Sequence, residues 1–270
     1  MRTLVFTVLL LASGSSVCQG AIIDWDNLSW NPDGSLSESF VIAGTNTRAT
    51  FTFTGNTNRF TDDPNGNQTP TINNIQTGGL TPVQDVLNLR LDFQTATEEV
   101  VMTVTFTNAT TGAAQLVDGV IFRVFDIDTD RSSPTYGWQD EIRVQGLRGT
   151  GTPTIVNPTL TDSADNFQNL NATLGNAVIG SNGNTSDTSA AANGTFNFGT
   201  NQIDRFTLTY GNWTQVQANP VEQRISIHDI AFFPVPEPST WAMMLVGVGV
   251  AYGVIRRRKA SRLQAARQAA

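Results

Sequence analysis

Short runs that alternate apolar and polar residues fill the middle of the chain, separated by Gly, Pro, Asn and Asp. In residues 48–54, Phe51 and Phe53 fall on one parity and Thr50, Thr52 and Thr54 on the other. Met102, Val104 and Phe106 likewise oppose Val101, Thr103 and Thr105, and residues 205–210 send Phe206, Leu208 and Tyr210 to one face. Side chains of a strand point alternately to opposite faces, so a period of two predicts strands with one buried side. Residues 120–127 are apolar on both parities except at Arg123 and, near the end, Asp126, which predicts a central strand. Residues 38–42, 86–93, 141–145, 195–198 and 224–233 bring the number to about ten. The last of these changes phase: Ile225 and Ile227 share one parity, Ile230 and Phe232 the other, so a bulge is expected at His228-Asp229.

No stretch of the body has the 3.6-residue period of a helix. The expected fold is all-β, an antiparallel β-sandwich of jelly-roll-like form. Residues 61–71, rich in Asp, Asn, Pro and Gly, and residues 180–194, a Ser/Asn/Thr/Gly tract, read as loops within this one domain.

The two ends break the pattern. Residues 1–20 read as a secretory signal peptide, a helix with Arg2 ahead of an apolar core and small residues before Gly20. At the other end, residues 242–255 are apolar or Gly except for Tyr252, and Arg256, Arg257, Arg258 and Lys259 follow. Residues 241–255 as a helix span only about 22 Å, a short transmembrane segment that reaches across with its flanking residues and long Arg stems. The basic cluster belongs on the cytoplasmic side of the inner membrane and the body outside it. The expected divisions are a signal peptide at 1–20, an extracellular sandwich at 21–234, an anchor segment at 235–259 and a basic cytoplasmic tail at 260–270.

Pro236, Glu237 and Pro238 stand directly before that anchor, with Gly247, Gly249 and Gly253 spaced through it and the arginines behind it. In residue type, order and spacing this segment resembles the PEP-CTERM sorting tail of Gram-negative bacteria. The resemblance implies export by the secretion and signal-peptidase machinery and processing near the triplet by an exosortase. It also implies a final place at the cell surface or in an exopolysaccharide matrix. An ordinary permanent C-terminal anchor has the same topology and differs only in processing. The eleven residues after Lys259 depart from the family, whose tails usually end sooner.

Charge sharpens this picture. Apart from Arg2 and the six basic residues of the tail, the body has nine Arg and no Lys against 22 acids, a net charge near −13. Such a surface repels phosphate backbones, so nucleic acid is not an expected partner. Cys18, the one cysteine, lies in the leader, which leaves the mature body without a disulfide or a thiolate metal site.

The densest polar cluster is Asp126, Asp128 and Asp130, followed by Asp140 after a turn-like stretch. Alternate aspartates leaving a strand can aim several carboxylates at one point, as calcium requires, and Asp229, with Asp24 and Asp26, is a further candidate. It is no EF-hand, because Arg131 and Gly137 occupy the glycine and glutamate positions of that loop. The single histidine, His228, lies within a strand in a sequence without a Gly-x-Ser-x-Gly turn, and is expected to pack or to make a surface hydrogen bond rather than to serve a hydrolase. Trp25, Trp30, Trp138, Trp213, Tyr136 and Tyr210 either fill the core or include a sugar-stacking surface. The expected function is a non-catalytic surface or matrix protein, with a carbohydrate-binding adhesin as the alternative and a secreted glycan hydrolase behind it.

Overall fold

The alternating segments form strands, and the apolar parity of each turns inward. A computed structural model describes residues 20–130, 136–214 and 216–236, with Tyr252 and Arg256. The expected signal helix, but for Gly20, and the expected anchor helix, but for Tyr252 and Arg256, lie outside the described residues. Among the described residues no helix is long and apolar enough to cross a membrane.

In chain order the strands are β1 (Ala21–Ile23), β2 (Ser37–Val41), β3 (Thr47–Gly55), β4 (Thr71–Asn73), β5 (Val86–Leu91) and β6 (Glu99–Asn108). There follow β7 (Val117–Phe125), β8 (Asp140–Arg148), β9 (Thr154–Val156), β10 (Thr159–Thr161) and β11 (Asn166–Asn169). The last are β12 (Asn176–Gly180), β13 (Gly194–Asn197), β14 (Arg205–Asn212), β15 (Gln223–Ile227) and β16 (Ile230–Pro234).

They form two antiparallel sheets, the sandwich expected from the pattern. One runs β1-β16-β7-β15-β5-β4, with β13 also on β7 and β10 beyond it; the other runs β11-β12-β8-β14-β6-β3-β2, with β9 also on β8. Register keeps the apolar parities in line: Leu208 of β14 sits opposite Met102 of β6 and Val144 of β8, and all three are fully buried. Aromatic rings join the layers. Phe122 of β7 stacks on Phe206 of β14 at 5.0 Å, and Phe106 of β6 meets Phe232 of β16 at 5.0 Å. Each such ring removes about 2–3 kcal/mol worth of apolar surface from water.

The phase change near residue 228 is real. Strands β15 and β16 run along one edge of β7, interrupted at His228-Asp229, while the His228 N–H bonds the Arg123 carbonyl at 3.0 Å. The interruption lets Ile225, Ile227, Ile230 and Phe232 all reach the same core. Strands β1, β4, β9, β10, β11 and β12 were not expected from the pattern. At three to five residues each they repeat an alternation twice at most, and β12 is buried on both faces.

Candidate functional site

At the end of β7 the chain turns through Asp126, whose φ of 65° is the one left-handed backbone at a non-glycine among the described residues. Aspartate tolerates this region better than most residues, yet such positions concentrate at functional sites. Its side chain is buried. Oδ2 accepts the Gln76 Nε2–H at 2.7 Å and lies 3.7 Å from Arg224 Nε, whereas Oδ1 has no partner. Gln76 is fixed in turn, by Asn88 Nδ2–H on its amide oxygen and Ser226 Oγ–H on its carbonyl. Burial, reinforced by the charges of Asp128 and Asp187, pushes the Asp126 carboxyl up to about 8, although Arg224 and Gln76 pull the other way.

Two residues on, Asp128 accepts the Trp138 indole N–H at 3.1 Å on one oxygen and the Thr185 N–H at 2.5 Å on the other. Burial raises it to about 6 against those two bonds. Asp140 opens β8 and is fully enclosed. It accepts the Asp128 N–H at 3.2 Å and the Tyr210 hydroxyl at 2.9 Å. Burial holds Asp140 well above the usual carboxylate range, and burial followed by the Asp140 charge drives Tyr210 upward too. Glycine is required at Gly180, where a Cβ would lie 2.0 Å from the Asp128 carbonyl oxygen. The end of β12 can approach Asp128 only without a side chain.

Asp126 and Asp128 line a cleft of about 130 Å³ together with Trp138, Gln223, Arg224, Arg90, Glu222 and Asn184. Gln223 is 3 % exposed, and neither its amide oxygen nor its amide nitrogen has a partner. The charges around the cleft pair internally: Arg90 with Glu222 at 2.7 Å, and Arg224 with Asp187 and, more loosely, Asp126. The polar tract expected to be a loop supplies one wall, through Asn184 and the Thr185 N–H. A second, wider cleft of about 360 Å³ includes Glu99, Glu141, Arg143, Asn212 and Trp213. There Arg143 bridges Glu99 and Glu141, and burial raises Glu141.

Of the five aspartates expected as calcium ligands, the fold brings Asp126, Asp128 and Asp140 together. Asp130 lies just beyond, its main chain paired with Trp138 and Gly137. Asp229 is elsewhere, accepting the Trp25 N–H at 3.0 Å and thereby tying the last strands to the first. The donor set at Asp126, Asp128 and Asp140 does not fit calcium, which takes six to eight oxygens. Five of the six carboxylate oxygens already accept hydrogen bonds and a guanidinium stands beside Asp126. Among the described residues no group of three or more His, Cys, Asp or Glu is placed to hold a metal ion.

His228 packs, as expected: Nε2 meets the Gln84 amide oxygen at 2.8 Å and the ring lies 5.5 Å from Phe125. Trp25, Trp30 and Tyr210 are core residues, whereas Trp138 and Trp213 keep partly open rings at the two clefts. Gln76, Gln223 and Arg224 were not singled out from the sequence. Gln223 and Arg224 open β15 and Gln76 lies in the loop after β4, so no local spacing ties them to the aspartates.

The body closes at its C-terminal end on the segment joining β6 to β7: Val235 N–H bonds the Leu116 carbonyl at 2.9 Å, and Gln115 Nε2–H bonds the Val235 carbonyl at 2.6 Å. The compact unit spans Gly20–Val235. Of the expected sorting and orientation residues, Pro236 and Arg256 are described and Arg256 is exposed. Glu237, Pro238, Arg257, Arg258 and Lys259 lie outside the described residues. No curated protein matches the chain. A family model described as the PEP-CTERM protein-sorting motif matches residues 234–259, and it begins on the last residue of β16. The chain carries a PEP-CTERM sorting motif, the signal of exported proteins that are membrane-anchored as precursors and handled by an exosortase.

Proposed function

We propose that the protein is a non-catalytic component of the cell surface or exopolysaccharide matrix. Its sandwich is held on the outer side of the inner membrane by the C-terminal segment until an exosortase cuts near Pro236-Glu237-Pro238. The observation that carries this reading is the sorting-motif match at residues 234–259, placed where the hydrogen-bonded body ends at Val235. The acidic body and the arginine-rich tail support the orientation, because basic clusters stay cytoplasmic. The pairing of His228 with Gln84 rather than with a nucleophile supports a non-catalytic role. The mass of the mature C-terminus in the native host tests the reading. It should end beyond Val235 and within the triplet region when the sorting enzyme is present, and should include the tail when that enzyme is deleted. An identical mass in both strains would reject it.

A second reading, a carbohydrate-binding adhesin, is favoured by one contrast among the tryptophans. Trp25 and Trp30 are spent on the core, while Trp138 and Trp213 border the two clefts and are only partly buried. Binding to a glycan array by the folded protein, lost on replacing an open tryptophan, is the outcome this reading requires.

A further inference from the structure

We propose that the cleft bordered by Asp126, Trp138 and Gln223 binds a single neutral pyranose unit of a glycan. Its hydroxyls pair with the unsatisfied carboxyl and amide groups, and its ring lies against the indole. The proposal deepens the adhesin reading and rests on it, since it names the site and the ligand class that such a protein would need.

The first argument is the state of the polar atoms. Buried side-chain polar groups in folded proteins nearly always have partners. Here Asp126 Oδ1, Gln223 Oε1 and Gln223 Nε2 are all buried without one, and both residues border the same cleft. A primary amide presents a donor and an acceptor side by side, and a carboxyl group offers a further acceptor or, when protonated, a donor. A hydroxyl both donates and accepts, so neighbouring hydroxyls on a sugar ring match this set without demanding a charge.

Charge narrows the class. Arg90 is committed to Glu222, and Arg224 to Asp187 and Asp126, so among the described residues the cleft presents no spare cation for phosphate or sulfate. The same arginines oppose a metal ion. Size narrows it further: about 130 Å³ lies well below the few hundred Å³ usual for larger ligands and suits one ring. Trp138 supplies the remaining feature. Its indole N–H is anchored on Asp128, which fixes the ring plane, and the ring is only partly covered. An aromatic surface beside donors and acceptors suits the apolar flank of a sugar. The left-handed backbone at Asp126 is the kind of local strain that a binding site retains.

The test is ligand-observed NMR on the full-length chain, held in a detergent without a sugar head group. The probes are a panel of neutral monosaccharides, with calcium chloride and inorganic phosphate as separate arms. The expected result is binding of at least one neutral hexose with a dissociation constant on the order of 1 mM, the range for so small a ligand. Trp138→Ala and Gln223→Ala should each weaken it about tenfold or more, the change that loss of one good contact produces. Trp213→Ala, in the other cleft, should leave it unchanged. Near-ultraviolet circular dichroism verifies that each variant is folded, and Asp126→Asn, which preserves shape, replaces any variant that is not. If no sugar binds the folded wild-type chain, both the site and the adhesin reading fall. If sugar binds but only Trp213→Ala weakens it, this site is wrong and the adhesin reading stands. Calcium or phosphate binding that depends on Asp126 and excludes sugar would overturn the ligand class.

Discussion

Two groups of aspartates looked alike in the sequence and behave differently in the fold. Asp126 and Asp128 line the cleft with Asp140 enclosed behind them, while Asp24, Asp26 and Asp229 lie at the seam where β1 meets β16. At the seam the carboxylates accept bonds mostly from main-chain N–H groups of short turns. Asp24 takes the Asp26 N–H, Asp26 the Asp85 N–H and Asp229 the Trp25 N–H. Water still reaches all three, and their role is to staple loops and strand ends. At the cleft most donors are side chains, those of Gln76, Trp138 and Tyr210 beside the Thr185 N–H, and water is largely excluded. Burial there favours the neutral acid over the carboxylate. Spacing along the chain gives aspartates a shared direction; exclusion of water decides what they become.

The sharpest way to break this comparison is Asp140→Ala. The substitution leaves the Tyr210 hydroxyl and the Asp128 N–H without a buried acceptor and opens space in the core. Each orphaned group costs about 1–3 kcal/mol, so a loss of about 3–4 kcal/mol is expected. For a body of this size that lowers the thermal midpoint by about 10 °C, measurable by circular dichroism. A fall of only a degree or two would show that the cleft is as open to water as the seam.

The same contrast explains how far the sequence could be read. The long strands β3, β6 and β14 were legible because eight to ten residues repeat the alternation several times. The interruption before Ile230 was legible because the apolar parity switches there. Strand β12 was not: Ala177, Val178 and Ile179 are all buried and show no alternation. Asp126, Asp128 and Asp140 were legible as a cluster through their spacing. Their partners were not, because β15 brings Gln223 and Arg224, and the loop after β4 brings Gln76, from distant parts of the chain. Nor does spacing reveal that Arg224 would stand where a cation was expected. The sorting segment was legible throughout, since its information lies in a contiguous run of residues rather than in tertiary contacts.

A pH titration sharpens the difference at intermediate size. Asp126 has a folded-state value of about 8, above the ordinary 3.8, so its protonated form is favoured by folding. Its contribution to stability is fully present below about pH 4 and is lost as the pH rises through 8. Lowering the pH from 8 to 6.5 should therefore stabilise the body by about 1.5 kcal/mol, or about 4 °C. That window lies above the value of about 6 for Asp128. His228, whose value burial lowers from the ordinary 6.5, acts in the opposite direction and enters only at the lower edge of this window. Asp126→Asn should reduce the rise and leave the share of Asp140, which burial also raises. A wild-type midpoint that falls over this window would mean that Asp126 is ionised in the fold.

The smallest expected effect belongs to the seam. Asp229→Ala removes the acceptor of the Trp25 N–H, a single bond across 204 residues of sequence, at a partly open site. A loss of about 1 kcal/mol, or about 3 °C, follows. Asp229→Asn keeps an oxygen for that N–H and removes the charge, so it should stay within about 0.5 kcal/mol of the wild type. The pair of variants separates a hydrogen-bond staple from a cation ligand, because a cation site would need the charge. Added calcium should accordingly leave the midpoints of wild type and Asp229→Asn equally unmoved. If calcium raised the wild-type midpoint and the Asn variant lost that rise, the seam would hold a metal ion, and the acids there would owe their placement to it rather than to the turns they cap.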